Sequence, residues 1–171
     1  MSRIALTTRD LRVQQAQRRF VPLLSMVVAC LLSLLPIVAS APLVPDLAFL
    51  TLIAWRLVRP EMWTARTALP IGAFNDLVAG HPFGQSMALW TIAVLLLDLV
   101  DSRALFRDFW MDWLLASVLI IFYTLGDWYI GHLMGNTANF SIMLPQLAFS
   151  VLLYPVVARI VVALDRWRLA R

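Results

Sequence analysis

Six apolar blocks, at about 20–43, 45–58, 62–79, 83–100, 110–134 and 142–164, follow one another with only short polar breaks between them. The breaks are Arg59-Pro60-Glu61, Gly80-His81-Pro82, the charged stretch Asp101 to Asp108, and Gly135 to Ser141. Runs of this length and apolarity are the mark of membrane-spanning helices. Composition agrees: of 171 residues 61% are hydrophobic and 14% charged, against about 45–50% and about 25% in a soluble domain. The chain is expected to be an all-α membrane protein with six transmembrane helices. The second block is short, since about 14 residues at about 1.5 Å each reach only about 21 Å across about 30 Å of hydrocarbon. It is expected to tilt among its neighbours or to be extended by Leu43, Val44 and a snorkelling Arg56.

The 14 basic residues are all arginine, and the net charge is +4. They fall in four clusters: the N-terminal stretch (Arg3, Arg9, Arg12, Arg18, Arg19), the 56–66 loop (Arg56, Arg59, Arg66), the 103–107 loop (Arg103, Arg107) and the C-terminal end (Arg159, Arg166, Arg168, Arg171). The alternate loops hold none, which places both termini in the cytoplasm. Clusters between apolar blocks do not form the single solvated face that nucleic acid requires. Trp55, Trp63, Trp110, Trp113, Trp128, Tyr129 and Trp167 lie near block ends, as interfacial anchors do. The expected organisation is a cytoplasmic Arg-rich tail over 1–19, a single six-helix domain over 20–165 and a cytoplasmic end over 166–171. Ala39-Ser40-Ala41 resembles a signal cleavage site, but it follows a run long enough to span, so cleavage is not expected. Cys30 is the only cysteine, and no CxxC or HExxH spacing is present, so neither a metal nor a cofactor is expected.

Ionisable groups at membrane depth are costly and merit a functional question by default. Asp46, Asp76, His81, Asp127 and His132 all fall on the outward half of this layout. Asp46 after Pro45 reads as an N-terminal cap of the second helix. The segment from Gly72 to Gly84 is the most informative. Gly80, one turn after Asp76, suits a left-handed helix end, Pro82 stiffens the reversal, and Gly84 lets the next helix approach closely. Asp76 is placed to accept hydrogen bonds from amides of that turn or of the next helix start, or to serve a ligand, proton or metal.

Pro45-Asp46 opening the second helix, Arg59-Pro60 after it, and Gly72, Asp76, Leu77, Gly80, Pro82 and Gly84 in that order resemble the rod shape-determining protein MreD family of bacterial inner-membrane proteins. The resemblance covers about residues 20–165 and leaves out the Arg-rich tail. It implies a non-enzymatic partner of the bitopic protein MreC within the elongation machinery, which links MreB filaments to the RodA–PBP2 peptidoglycan synthase. The fold it implies is similar to the six-helix substrate-binding component of energy-coupling-factor vitamin transporters.

Ser25, Ala29 and Ser33 recur every fourth residue on the first helix, a small-residue stripe that either receives the partner helix or packs within the bundle. Asp98, Asp101, Arg103, Arg107, Asp108 and Asp112 form a mixed-sign inner loop read as a solvated connection. Two other functions compete. A vitamin-binding transport component shares the fold but has longer outer loops, and an intramembrane aspartyl protease would pair Asp76 with Asp127. The layout itself is testable: alkaline phosphatase fused after Gly80 or Gly135 should be active and after Arg107 inactive. Activity at Arg107 would overturn the six-span map.

Overall fold

The structure, a computed structural model, describes residues 8–32, 34, 45–101 and 108–169. Six helices fill them: α1 (Thr8–Leu32), α2 (Leu47–Val58), α3 (Ala65–Ala79), α4 (Gln85–Asp101), α5 (Phe109–Leu133) and α6 (Leu144–Leu169), the last entered through a 3-10 turn at Phe140–Met143. No strand occurs among the described residues. Each apolar block carries one helix, but α1 starts well before its block. Residues 8–19 contain neither proline nor glycine and are rich in arginine and glutamine, which favour helix. The helix therefore runs through the later part of the arginine tail. Ser33, Arg103, Arg107 and the Ala39-Ser40-Ala41 sequence lie outside the described residues.

Two segments, Phe109–Leu133 and Phe140–Leu169, are long and apolar enough to cross a membrane. The apolar parts of α1, α2 and α4, Phe20–Leu32, Leu47–Val58 and Gln85–Val100, are shorter. The 12 residues of α2 make about 18 Å of helix. Burial accounts for this. Nine of the 12 are buried, and α1, α4, α5 and α6 all pack on this helix. A helix enclosed by protein need not match the hydrocarbon thickness. Arg56 does not snorkel as expected. It is 3% exposed and ion-paired with Asp98 of α4, whose carboxylate supplies the counter-charge that a buried guanidinium needs.

Around α2 the core is aromatic and aliphatic: Trp55, Trp90, Phe49, Leu50, Leu52 and Val94 are all buried. The outside is apolar as well, with Leu23, Leu95, Ile121, Leu152 and Ile160 exposed, the surface a lipid solvent selects. The closest pairing is α3 against α4. It depends on Gly72, where a β-carbon would stand 2.6 Å from the Met87 Cα and 2.9 Å from the Ser86 carbonyl oxygen. Backbone cannot yield as a flexible side chain can, so this crossing admits glycine alone.

Candidate functional site

The turn joining α3 to α4 is built around one carboxylate. Gly80 ends α3 in the left-handed conformation (φ 73°), its N–H donating to the Asp76 carbonyl, and Gly84 opens α4 at φ 98°. Having no side chain, Gly84 cannot cap the helix it precedes. Asp76 does so from the helix before: Oδ2 accepts from the Gly84 amide at 2.9 Å and from the Met87 amide at 3.4 Å, and Oδ1 from the Ser86 amide at 2.7 Å. At 1% exposure its charge sits against the positive end of the α4 dipole. Buried Ser86 adds a second tie, its hydroxyl accepting from Asn75 Nδ2 at 3.1 Å and lying 3.3 Å from His81 Nδ1. The Pro82 carbonyl accepts from the Gln85 amide at 3.0 Å, while Leu77 faces outward.

Beside this turn lies a polar chamber of about 220 Å³, lined by Pro45, Asp46, His81, Tyr123, Asp127 and Gln146 among others. Asp46 caps α2, Oδ1 accepting from the Phe49 amide at 3.0 Å, while Oδ2 accepts from the Tyr123 hydroxyl at 2.6 Å. Tyr123 stacks on Phe49 with ring centres 4.2 Å apart. Asp127 accepts from the Gln85 side-chain amide. Of the five outward polar residues, the structure thus brings Asp46, His81 and Asp127 together. Asp76 is committed to the turn and does not line the chamber. His132 is exposed, stacked on Trp128 and 3.1 Å from the Asn136 carbonyl oxygen.

The opposite end carries an ion network. Arg59 donates to Asp165 Oδ2 through Nη2 at 2.9 Å and Nε at 3.1 Å, and Arg168 Nε donates to Oδ1 at 2.7 Å. The Arg168 guanidinium also stands 5.5 Å from the Trp55 ring centre, a cation–π distance. Pro60, exposed, follows the Arg59 C-cap. The Arg59 guanidinium, just beyond the end of α2, is raised above its ordinary value, chiefly by its hydrogen bond to Asp165.

Asp98, expected in a solvated loop, instead neutralises Arg56. In the small-residue stripe, Ser25 Oγ donates to the Pro22 carbonyl at 2.8 Å and accepts from Trp55 Nε1 at 2.8 Å, and Ala29 is 5% exposed. Both side chains turn toward the bundle, and both line a groove between α1 and α6. Sequence reasoning missed Tyr123, Gln85, Ser86, Gln146, Asp165 and Arg168. Only Asp165 carried a signal, as the one acidic residue amid the C-terminal arginines.

Apolar on its outer faces, with its motif polar groups spent on tying helix ends together, this bundle is a helical membrane protein whose distinctive residues fasten its own architecture. The family model for rod shape-determining protein MreD matches residues 14–166, beginning inside the arginine-rich stretch. The chain belongs to that family, and its role lies in determining rod shape. No curated protein and no solved structure matches it.

Two outcomes follow from this geometry. Asp76→Ala leaves buried amides at the α4 start without an acceptor and should destabilise the protein by about 2–4 kcal/mol, lowering both membrane level and melting temperature in detergent. Asp76→Asn, which keeps one acceptor oxygen, should fall between, and a silent alanine variant would remove the carboxylate from this role. Asp165 accepts from Arg59 and Arg168 together, so Asp165→Asn removes the charge that both guanidinium groups bind and should cost about 2 kcal/mol at neutral pH. Melting temperature in detergent measures it, and a value equal to wild type contradicts the ion network.

Proposed function

We propose that this chain is a non-enzymatic scaffold of the cell-elongation machinery, crossing the bacterial inner membrane six times with both termini cytoplasmic. It receives the membrane helix of a bitopic, MreC-like partner and so helps couple MreB filaments to RodA–PBP2 peptidoglycan synthesis. The unit that does this is the six-helix domain over 20–165, flanked by the arginine tail and the C-terminal end. The motif residues Pro45, Asp46, Arg59, Pro60, Gly72, Asp76, Leu77, Gly80, Pro82 and Gly84 serve by fixing the geometry of that unit.

The observation that carries this reading is the groove of about 400 Å³ between α1 and α6. Leu24, Val28, Val157 and Ile160 border it, with Ser25 and Ala29 keeping the α1 wall low. Membrane helices associate by close van der Waals fit rather than by excluding water, so a low wall is what an incoming helix needs. One observation favours a second reading, a small-molecule-binding component with the helix arrangement of vitamin transporters: the polar chamber at the α3–α4 end.

A pull-down in mild detergent separates the two. Recovery of a bitopic coiled-coil protein with a periplasmic β-domain supports the scaffold, and recovery of an ATPase pair supports uptake. Within the scaffold reading, Val28→Trp and Ile160→Trp fill the groove from exposed positions and should cut partner recovery at least about tenfold with melting temperature unchanged. Ala29→Ile, at a packed position, should lower both. Wild-type recovery in the two tryptophan variants would move the docking surface elsewhere.

A further inference from the structure

An arginine in an apolar setting needs a counter-charge, and three on the arginine-rich side of the bundle have one. Arg56 is paired with Asp98, and Arg59 and Arg168 share Asp165. Arg159 and Arg166 differ. Both are exposed, and among the described residues neither meets a carboxylate. They stand two turns apart on α6, so Arg159 lies about 10 Å closer to the middle of the helix than Arg166. Its position falls inside the sixth apolar block.

Both line one groove of about 700 Å³ between α5, α6 and the end of α2. The rest of its lining is mostly apolar: Leu57 and Val58 from α2, Phe109 from α5, and Tyr154 and Ala158 from α6. Asp112, on the α5 wall, has a partner of its own. An apolar helix in this trough leaves Arg159 uncompensated, and a free anion leaves the apolar walls unfilled. An amphiphile with a phosphate at its polar end satisfies both. Guanidinium groups bind phosphate through paired hydrogen bonds, and the long arginine stem lets the deeper one reach toward headgroup level. Basic pockets between membrane helices on the cytoplasmic side suit anionic lipid headgroups.

We propose that this groove binds an anionic phospholipid of the leaflet on the arginine-rich side, its phosphate held by Arg159 and Arg166 and an acyl chain lying along the α5–α6 trough. The inference rests on the membrane-spanning reading but not on the partner, whose groove lies on the other side of α6.

The test uses the full chain in mild detergent, titrated separately with phosphatidylglycerol, phosphatidylcholine and inorganic phosphate, and read by melting temperature and by native mass spectrometry. Phosphatidylglycerol should raise the melting temperature by about 5 °C and leave a retained lipid adduct. Phosphatidylcholine should give less than half that shift, and inorganic phosphate none. Arg159→Gln/Arg166→Gln should lose the shift and the adduct, with the lipid-free melting temperature unchanged, while Arg66→Gln keeps both. Ala163→Trp, which narrows the trough and leaves both arginines, should also lose the adduct. If the glutamine pair does not fold, Arg159→Lys/Arg166→Lys, expected to keep binding, and Ala163→Trp decide the matter. An adduct surviving in Ala163→Trp or in the glutamine pair, equal shifts with phosphatidylcholine, or a shift with inorganic phosphate alone overturns the proposal. Partner recovery in Ala163→Trp is expected to stay at wild type, so failure of the lipid site and failure of the scaffold reading are distinguishable. An active phosphatase fusion at Arg107 would remove the leaflet assignment and leave the adduct standing.

Discussion

A helix shorter than the hydrocarbon thickness of a bilayer sits at the centre of this protein, and its enclosure governs the rest. Because α2 is surrounded by α1, α4, α5 and α6, the polar groups at its two ends lie against neighbouring helices and are answered by them. Asp46 at the start meets Tyr123 of α5; Arg56 and Arg59 at the end meet Asp98 of α4 and Asp165 of α6. Each pairing adds direction to what apolar packing alone would leave free to slide or rotate. In lipid, where hydrophobic exclusion does not favour helix association, such ties set which helix lies beside which.

The α3–α4 turn solves a related problem by different means. Gly72 lets the two backbones come closer than a β-carbon permits, and Gly84 lets α4 start at a positive φ, yet a glycine start leaves the helix uncapped. Asp76 resolves the conflict from one turn before the end of α3, placing a single charge where three amides converge. Proline and glycine set the path of the chain and the carboxylate satisfies its hydrogen bonds, so Gly72, Asp76, Gly80, Pro82 and Gly84 act as one device.

That device was legible in the sequence because every part of it lies within a short stretch, where spacing translates directly into geometry. Helix number and order were legible too, since apolar runs and their breaks are local. The long-range pairings were not. Arg56 finds its carboxylate 42 residues away and Arg59 finds its own 106 away, and no periodicity links such positions. Arg56 therefore read as a snorkelling end and Asp98 as part of a solvated loop. Tyr123 was hidden for another reason: in an aromatic-rich apolar run nothing distinguishes a phenol that meets a carboxylate from one that does not. The Ser25–Ala29 stripe was visible, but spacing alone does not say which way a stripe faces. Trp55, 30 residues away, settles the direction of Ser25 by donating to its hydroxyl.

Helix α6 divides two surfaces of unlike chemistry. Val157, Ile160, Val161 and Leu164 border the groove shared with α1, whereas Ala158, Arg159, Val162 and Arg166 border the one shared with α5. These sets interleave along the chain and separate only because a helix turns once every 3.6 residues or so, which is why an undivided apolar run reads as featureless. Since lipid tails are as apolar as leucine, neither groove can select its occupant by hydrophobicity. Selection then falls to shape on the α1 side, where the described lining is uncharged and Ser25 and Ala29 keep the wall low. On the α5 side it falls to charge, where two arginines stand without carboxylates among the described residues. An occupant suited to one groove is thereby disfavoured in the other: an apolar helix cannot neutralise Arg159, and an anionic headgroup finds no cation among the described residues lining the α1 groove.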